Sequence, residues 1–302
     1  VRQVPEHPAV VVAKDQFFFD RLGRSPDRHD MANILDILKD AGAKVAALDY
    51  IYDEAQTPAT DAALEKAFLQ FPAVLLAERF IARKGLSGLE NFTYRQESGR
   101  PPMPAALYEP LSCLAKDLGL INVFLGMDEM IRSMPLAFLP LDQKEFRPSL
   151  GFAAWIQWDL EQAPMPAGQA LASGSLETLE AHGRERISTW LASAPRAFRG
   201  VGHAGLDQIL RRREVRWGLL HMAEVWTPAG SFLNAEQRKT IQEIADRIPL
   251  DSLPNRTWIT LPERPLPLIG TAEAPCLRLP LTKQWEPLIG DGLRVISMGA
   301  LV

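Results

Sequence analysis

The chain has 302 residues, is 47% hydrophobic and 23% charged, and carries 33 basic against 37 acidic side chains for a net charge of −4. That length suffices for one large or two medium domains with a real core. The charge balance excludes the broad positive field that gathers nucleic acid or anionic lipid, and no apolar run approaches the ~18 residues needed to cross a bilayer.

In chain order, "PAVVVAKD" (Pro8 to Asp15) reads as a buried strand, a short β-branched run between a proline and charge. "DMANILDILKDAG" reads as a helix capped by Asp30, with Ile34, Leu35 and Leu38 on one face and Gly42 closing it. "KVAALD" is a second strand. "TDAALEKAFLQF" is a second helix, with Thr60 or Asp61 as cap and Leu64, Ala67, Phe68 and Phe71 on one side. "AVLLAE" (Ala73 to Glu78) is a third strand. Continuous apolar strands joined by amphipathic helices imply an α/β fold with a parallel sheet covered by helices on both faces.

Beyond the proline-rich "SGRPPMP", "LINVF" and "SMPLAFLPL" read as two strands joined by a hairpin, which turns the sheet from parallel to mixed. "PSLGFAAWIQW" begins a helix that packs Phe152, Trp155 and Ile156. Three helical stretches follow, at Leu176–Leu191, Leu206–Val225 and Ala235–Ile248; the third has Asn234 as cap and Gln237 in capping-box position. Trp190, Trp217 and Trp226 in this region read as core or as a signalling surface. "RTWITLP" and "LRVISMG" read as late strands. This predicts one domain over 1–302: an α/β core at 1–156, a mainly helical insertion or subdomain at 157–255, and strands at 256–302 that return to the core sheet.

The residues hold little overt chemistry. The turn after the first strand, "KDQFFFDRLGRSPDRH", has one glycine and three phenylalanines, which rejects a dinucleotide site. "HAGLDQ" and "HMAE" read as chance pairings of a histidine with an acid, and "RRREVR" (Arg211 to Arg216) as the solvated face of a helix. Cys113 and Cys276 belong to no CxxC or Cys/His cluster, and read as two separate thiols or one bridge.

Asp15, Asp49 and Glu78 close the three predicted strands, where open parallel sheets bind ligands. Acids in that place serve a magnesium-dependent hydrolase or phosphotransferase, or they cap helices and hold loops. The second acid such enzymes carry two residues on is missing, since Gln16 and Phe17 follow Asp15.

The run from "VVVAKDQFFFDRLGRSPDRHDMANILDILKDAGAKVAALDYIYDEAQTPATDAALEKAF" resembles the CHASE-two family, the cyclase/histidine kinase-associated sensory extracellular domain of the second type. Leu22, Gly23, Arg24, Pro26 and Arg28 match its turn. Gly42, Ala43, Val45 and Asp49 match its second strand, and Asp61, Leu64 and Ala67 the next helix. "GLINVFLGMDEMIRSMPLAF" is similar to a later motif through Gly119, Asn122, Val123, Asp128, Arg132, Pro135 and Leu136. Ser25 replaces the usual aromatic of the turn, and Glu129-Met130 an expected Asp-Gly.

The resemblance implies an extracytoplasmic sensor on the periplasmic or extracellular side of a bacterial inner membrane. It would feed a histidine kinase, nucleotide cyclase, diguanylate cyclase or serine/threonine kinase. It implies no cofactor, no metal and no catalytic residue in this chain, a small-molecule or protein signal, self-association as a receptor dimer, and membrane attachment through segments beyond Val1 and Val302. If a small ligand binds, Asp15, Asp49 and Asp53 are candidates to meet a cation or amine, and Arg24, Arg28 and Arg132 to meet an anion.

Overall fold

The computed structural model describes residues 9–80, 101–124, 133–161, 203–227, 230–253, 272–278 and 294–298, with short pieces at 93–94, 131, 185–186, 188–189, 268–270 and 301. Its helices are α1 (Gln16–Leu22), α2 (Arg28–Asp40), α3 (Pro58–Gln70), α4 (Glu109–Leu114), α5 (Leu150–Glu161), α6 (Ala204–Trp226) and α7 (Ala235–Arg247). Its strands are β1 (Val10–Ala13), β2 (Ala46–Leu48), β3 (Val74–Glu78), β4 (Thr93–Tyr94), β5 (Asp117–Leu120), β6 (Val123–Phe124), β7 (Ser133–Pro135), β8 (Ala137–Phe138), β9 (Arg147–Pro148), β10 (Leu268–Gly270), β11 (Pro275–Arg278) and β12 (Arg294–Ser297). They form two compact units, one of Val1–Ala43, Ala55–Phe71 and Pro280–Val302, the other of Lys44–Glu54 and Pro72–Leu279.

In the first unit β1 pairs in parallel with β12, Val10 opposite Arg294 and Ala13 opposite Ser297. This two-stranded ribbon leaves Val10 46% and Val11 42% exposed, so β1 is not the buried strand its composition predicts. Residues expected to be a plain turn form α1. Asp15 stops the strand and caps this helix, and Gly23 ends it at φ 65°, a left-handed value that suits a residue without Cβ.

α2 starts three residues before the predicted cap: Asp27 caps it, and Asp30 is the third helical residue, returning the capping-box bond to the Asp27 N–H. The helix closes as predicted at Gly42, with the Gly42 N–H on the Lys39 carbonyl and the Ala43 N–H on that of Leu38. α2 and α3 pack together by burying Met31, Ile34 and Leu35 on one side and Leu64, Ala67 and Phe68 on the other.

In the second unit β2, β3 and β5 form a parallel sheet, with Leu48 opposite Leu76 and Leu75 opposite Asp117. Every residue of β3 is buried. α5 packs on this sheet, and a Cβ at Gly119 of β5 would lie 2.4 Å from the Leu150 Cα, so only glycine admits that approach. Phe152 and Ile156 of α5 are buried as expected, whereas Trp155 is 36% exposed and stacks on Phe152 at 5.9 Å.

The antiparallel part departs from the predicted hairpin. β7 pairs with β11, Met134 opposite Leu277, and β6 pairs in parallel with β4. β8 pairs with β9, and β10 with β11. A strand distant in sequence thus takes the edge that the local turn was expected to fill.

Phe80, Leu120, Phe124, Phe138 and Cys276 make one small core; Phe152, Leu160, Leu206, Leu219, Leu220 and Ile241 belong to a larger one where α5, α6 and α7 meet. Cys113 and Cys276 are both free and buried. Asn234 caps α7 in a complete capping box with Gln237, as the sequence predicts. Most of the expected helix at 176–191, and the "RTWITLP" strand, lie outside the described residues.

Candidate functional site

In the first unit the predicted ligand contacts are engaged in holding the chain. Asp15 accepts the Phe18 N–H at 3.1 Å as the cap of α1. Arg24 forks onto Asp30, Nη1 to Oδ2 at 2.5 Å and Nη2 to Oδ1 at 3.0 Å, with Asp27 at 3.3 Å. Burial would raise the Asp30 carboxyl, but the bonds from Arg24 and the Asp27 backbone hold it below the ordinary range. Arg28, 2% exposed, is ion-paired with Asp61.

Asp61 is therefore not the cap of α3; Thr57 is, with Pro58 next. The Asp61 carboxylate instead takes Arg28 on one side and the Gln56 N–H on the other, at 3.3 and 3.1 Å to its two oxygens. The exposed Thr57 hydroxyl outcompetes Asp61 as cap because Asp61 lies a full turn inside the helix, facing α2.

In the second unit Asp49 follows β2 and Glu78 ends β3, so both stand at the carboxyl edge of the parallel sheet. Partial burial raises the Asp49 carboxyl, and burial together with the Asp49 charge raises the neighbouring Tyr50 phenol. Asp53 is half exposed, 3.7 Å from Arg79. Arg132 lies outside the described residues.

The densest chemistry lies where sequence reasoning placed a solvated face. Arg213 of α6 is buried and reaches Asp117 at 2.7 Å. Burial acts on both partners, raising the Asp117 carboxyl and pushing the Arg213 guanidinium down to about 10. Arg212 Nη1 donates to the carbonyls of Ala245 and Ile248 at 2.6 and 3.0 Å, closing the end of α7. Arg211 does the same for Leu250 and Leu253, and Arg216 pairs with Asp246.

Glu78 is buried, with Arg147 at 3.8 Å and its Oε2 without a hydrogen bond. Burial raises its carboxyl, and Arg147 and Arg213 moderate the rise. Farther along α6, Glu224 takes Lys116 at 2.6 Å and Arg238 at 3.0 Å, and is held below the ordinary range against its own burial.

The sequence did hold a signal for this cluster. Ile209, Leu210, Val215, Trp217, Leu219 and Leu220 are apolar around most of the helix, leaving no continuous polar stripe for "RRREVR" to occupy in water. The two histidines are structural here: His203 caps α6 by accepting the Gly205 N–H at 3.1 Å, and His221 stacks on the buried Trp217 at 5.2 Å.

Among the described residues no three His, Cys, Asp or Glu side chains are arranged to hold a metal ion, and no helix is long and apolar enough to cross a membrane. The described residues form a mixed α/β fold with a small parallel sheet, a helical region and buried ion pairs, and such a fold does not by itself define a function. The family model of the CHASE2 domain matches residues 1–251, and the chain belongs to this family of non-catalytic, extracytoplasmic sensory domains of signalling receptors. The magnesium-dependent hydrolase reading gives way to that assignment. No curated protein and no solved structure matches the chain.

Proposed function

We propose that this domain is the signal-input part of a bacterial transmembrane receptor, facing the periplasm and driving a histidine kinase, nucleotide cyclase, diguanylate cyclase or serine/threonine kinase as a dimer. The observation that carries the reading is the family match over residues 1–251. A signal would act by binding two conformations unequally, since a ligand shifts a population by its differential affinity alone.

Asp49 and Asp53 are the proposed contacts for a cationic or amine signal, because the partly desolvated Asp49 carboxyl and the buried Tyr50 hydroxyl, which has no hydrogen bond, belong to consecutive residues following β2 at the sheet edge. Arg24 and Arg28 serve this reading by holding the turn before α2, given their bonds to Asp30 and Asp61.

Fusions of the full-length receptor to a reporter active only after export test the placement. Activity from a fusion within residues 1–302 is expected; activity only from a cytoplasmic reporter at the same point overturns it. Sedimentation of the full-length receptor in detergent tests the dimer, and a monomer at all concentrations removes that part.

A further inference from the structure

Arg147, Arg212, Arg213 and Arg216 converge on one recess of about 20 Å³, with Glu145 as the acid in its wall. A recess of that size holds one water-sized group. It shares Gln208 and Arg212 with a wider cleft of about 300 Å³ that Arg211, Asp207 and Asp251 also line, so the two follow one another along α6. The wider part is at the lower end of the volumes that take small molecules.

The existing partners do not exhaust the arginines. Asp117 is on Arg213, Asp246 on Arg216, and Glu145 at 3.4 Å on Arg212. The fourth, Arg147, has Glu78 at a loose 3.8 Å, the longest of the four pairs. Each of the four guanidinium groups thus faces one carboxylate, and Arg147 is the least tightly held of them. The buried Arg212 Nε has no hydrogen-bond partner, and an unmet buried donor favours an acceptor that reaches it.

We infer that this cleft binds a small oxyanion-bearing molecule, one oxygen of its carboxylate or phosphate head entering the arginine recess and the rest of the molecule lying along the α6 cleft. Guanidinium groups suit either head, since both offer paired oxygens to planar donors. The mixed charges of the outer cleft, Arg211 with Asp207 and Asp251, suit a polar body. The inference gives a ligand class to the sensory reading and rests on that reading for its biological meaning, but binding itself is measured on the purified chain.

The test is calorimetric titration of the 302-residue chain with succinate, with inorganic phosphate and with chloride at matched ionic strength. Arg147→Gln and Arg79→Gln are titrated alongside. Saturable binding of succinate or phosphate with Kd of about 1 mM or tighter is expected, unchanged in Arg79→Gln and weakened at least ~10-fold in Arg147→Gln, whose side chain is partly exposed and not part of a core. Succinate alone identifies a carboxylate site, and phosphate alone a phosphate site. Gln208→Glu, which places a negative charge where the two cavities meet, should weaken binding similarly and decides the matter if Arg147→Gln does not fold.

No saturable binding by either oxyanion, or equal loss in Arg147→Gln and Arg79→Gln, overturns the inference. Neither result moves the export reporter, so a missing ligand and a misplaced receptor domain are told apart.

Discussion

Arg28 and Asp61 are both buried, and removing either charge breaks their ion pair where water does not replace it. Asp61→Ala is expected to lower unfolding stability by about 3–5 kcal/mol, and Arg28→Met with Asp61→Leu to recover much of that; urea denaturation of the three chains checks both. Glu78 sets a pH dependence of the opposite kind to a salt-bridged carboxylate. Its folded pKa is raised, so its contribution is full below the unfolded value of about 4.3 and is lost as pH rises through the folded value. Glu78→Gln removes that loss. The variant should therefore gain stability over the wild type between pH 4 and pH 8, with Arg147, Arg213, Arg216 and Asp117 facing the site in both. A difference that stays flat with pH refutes the buried-acid account.

Helix ends and strand–helix contacts decide the next scale. The Asn234 capping box was legible because its spacing, N-x-x-Q before a polar helix start, satisfies backbone donors locally. Asn234→Ala should cost about 1 kcal/mol, measured as a drop in thermal midpoint. The caps of α2 and α3 were placed three residues late at Asp30, and three or four late at Thr60 or Asp61, because these side chains have the right chemistry for a cap. The ion pairs with Arg24 and Arg28 that occupy Asp30 and Asp61 come from elsewhere in the chain. Gly119 is likewise a tertiary matter: Gly119→Ala drives a methyl into the Leu150 backbone and should cost about 1–3 kcal/mol, visible as a lowered urea midpoint.

At the scale of the whole molecule, consecutive residues of opposite sign, Lys116 and Asp117, tie the start of β5 to α6 at Glu224 and Arg213. Those two partners are eleven residues apart, about three helical turns, so both lie on one side of α6. Arg213→Met should destabilise strongly, while adding Asp117→Leu should recover stability, since a dry pair of apolar groups avoids the desolvation that pushes Arg213 down to about 10. A double-mutant cycle read by denaturation measures the coupling. A pair that adds simply would show no tie.

The sequence by itself determined the α/β class, the parallel order of β2 and β3, the apolar faces of α2 and α3, the α7 cap and the family resemblance. Each of these is written in local periodicity or in a short motif. Tertiary structure alone decided that β12 partners β1, that β11 takes the edge of β7, and that the arginines of α6 turn inward. The strand partners, and the counter-ions of Arg28 and Arg213, come from residues tens to more than two hundred positions away, and no local period encodes which distant segment will satisfy them.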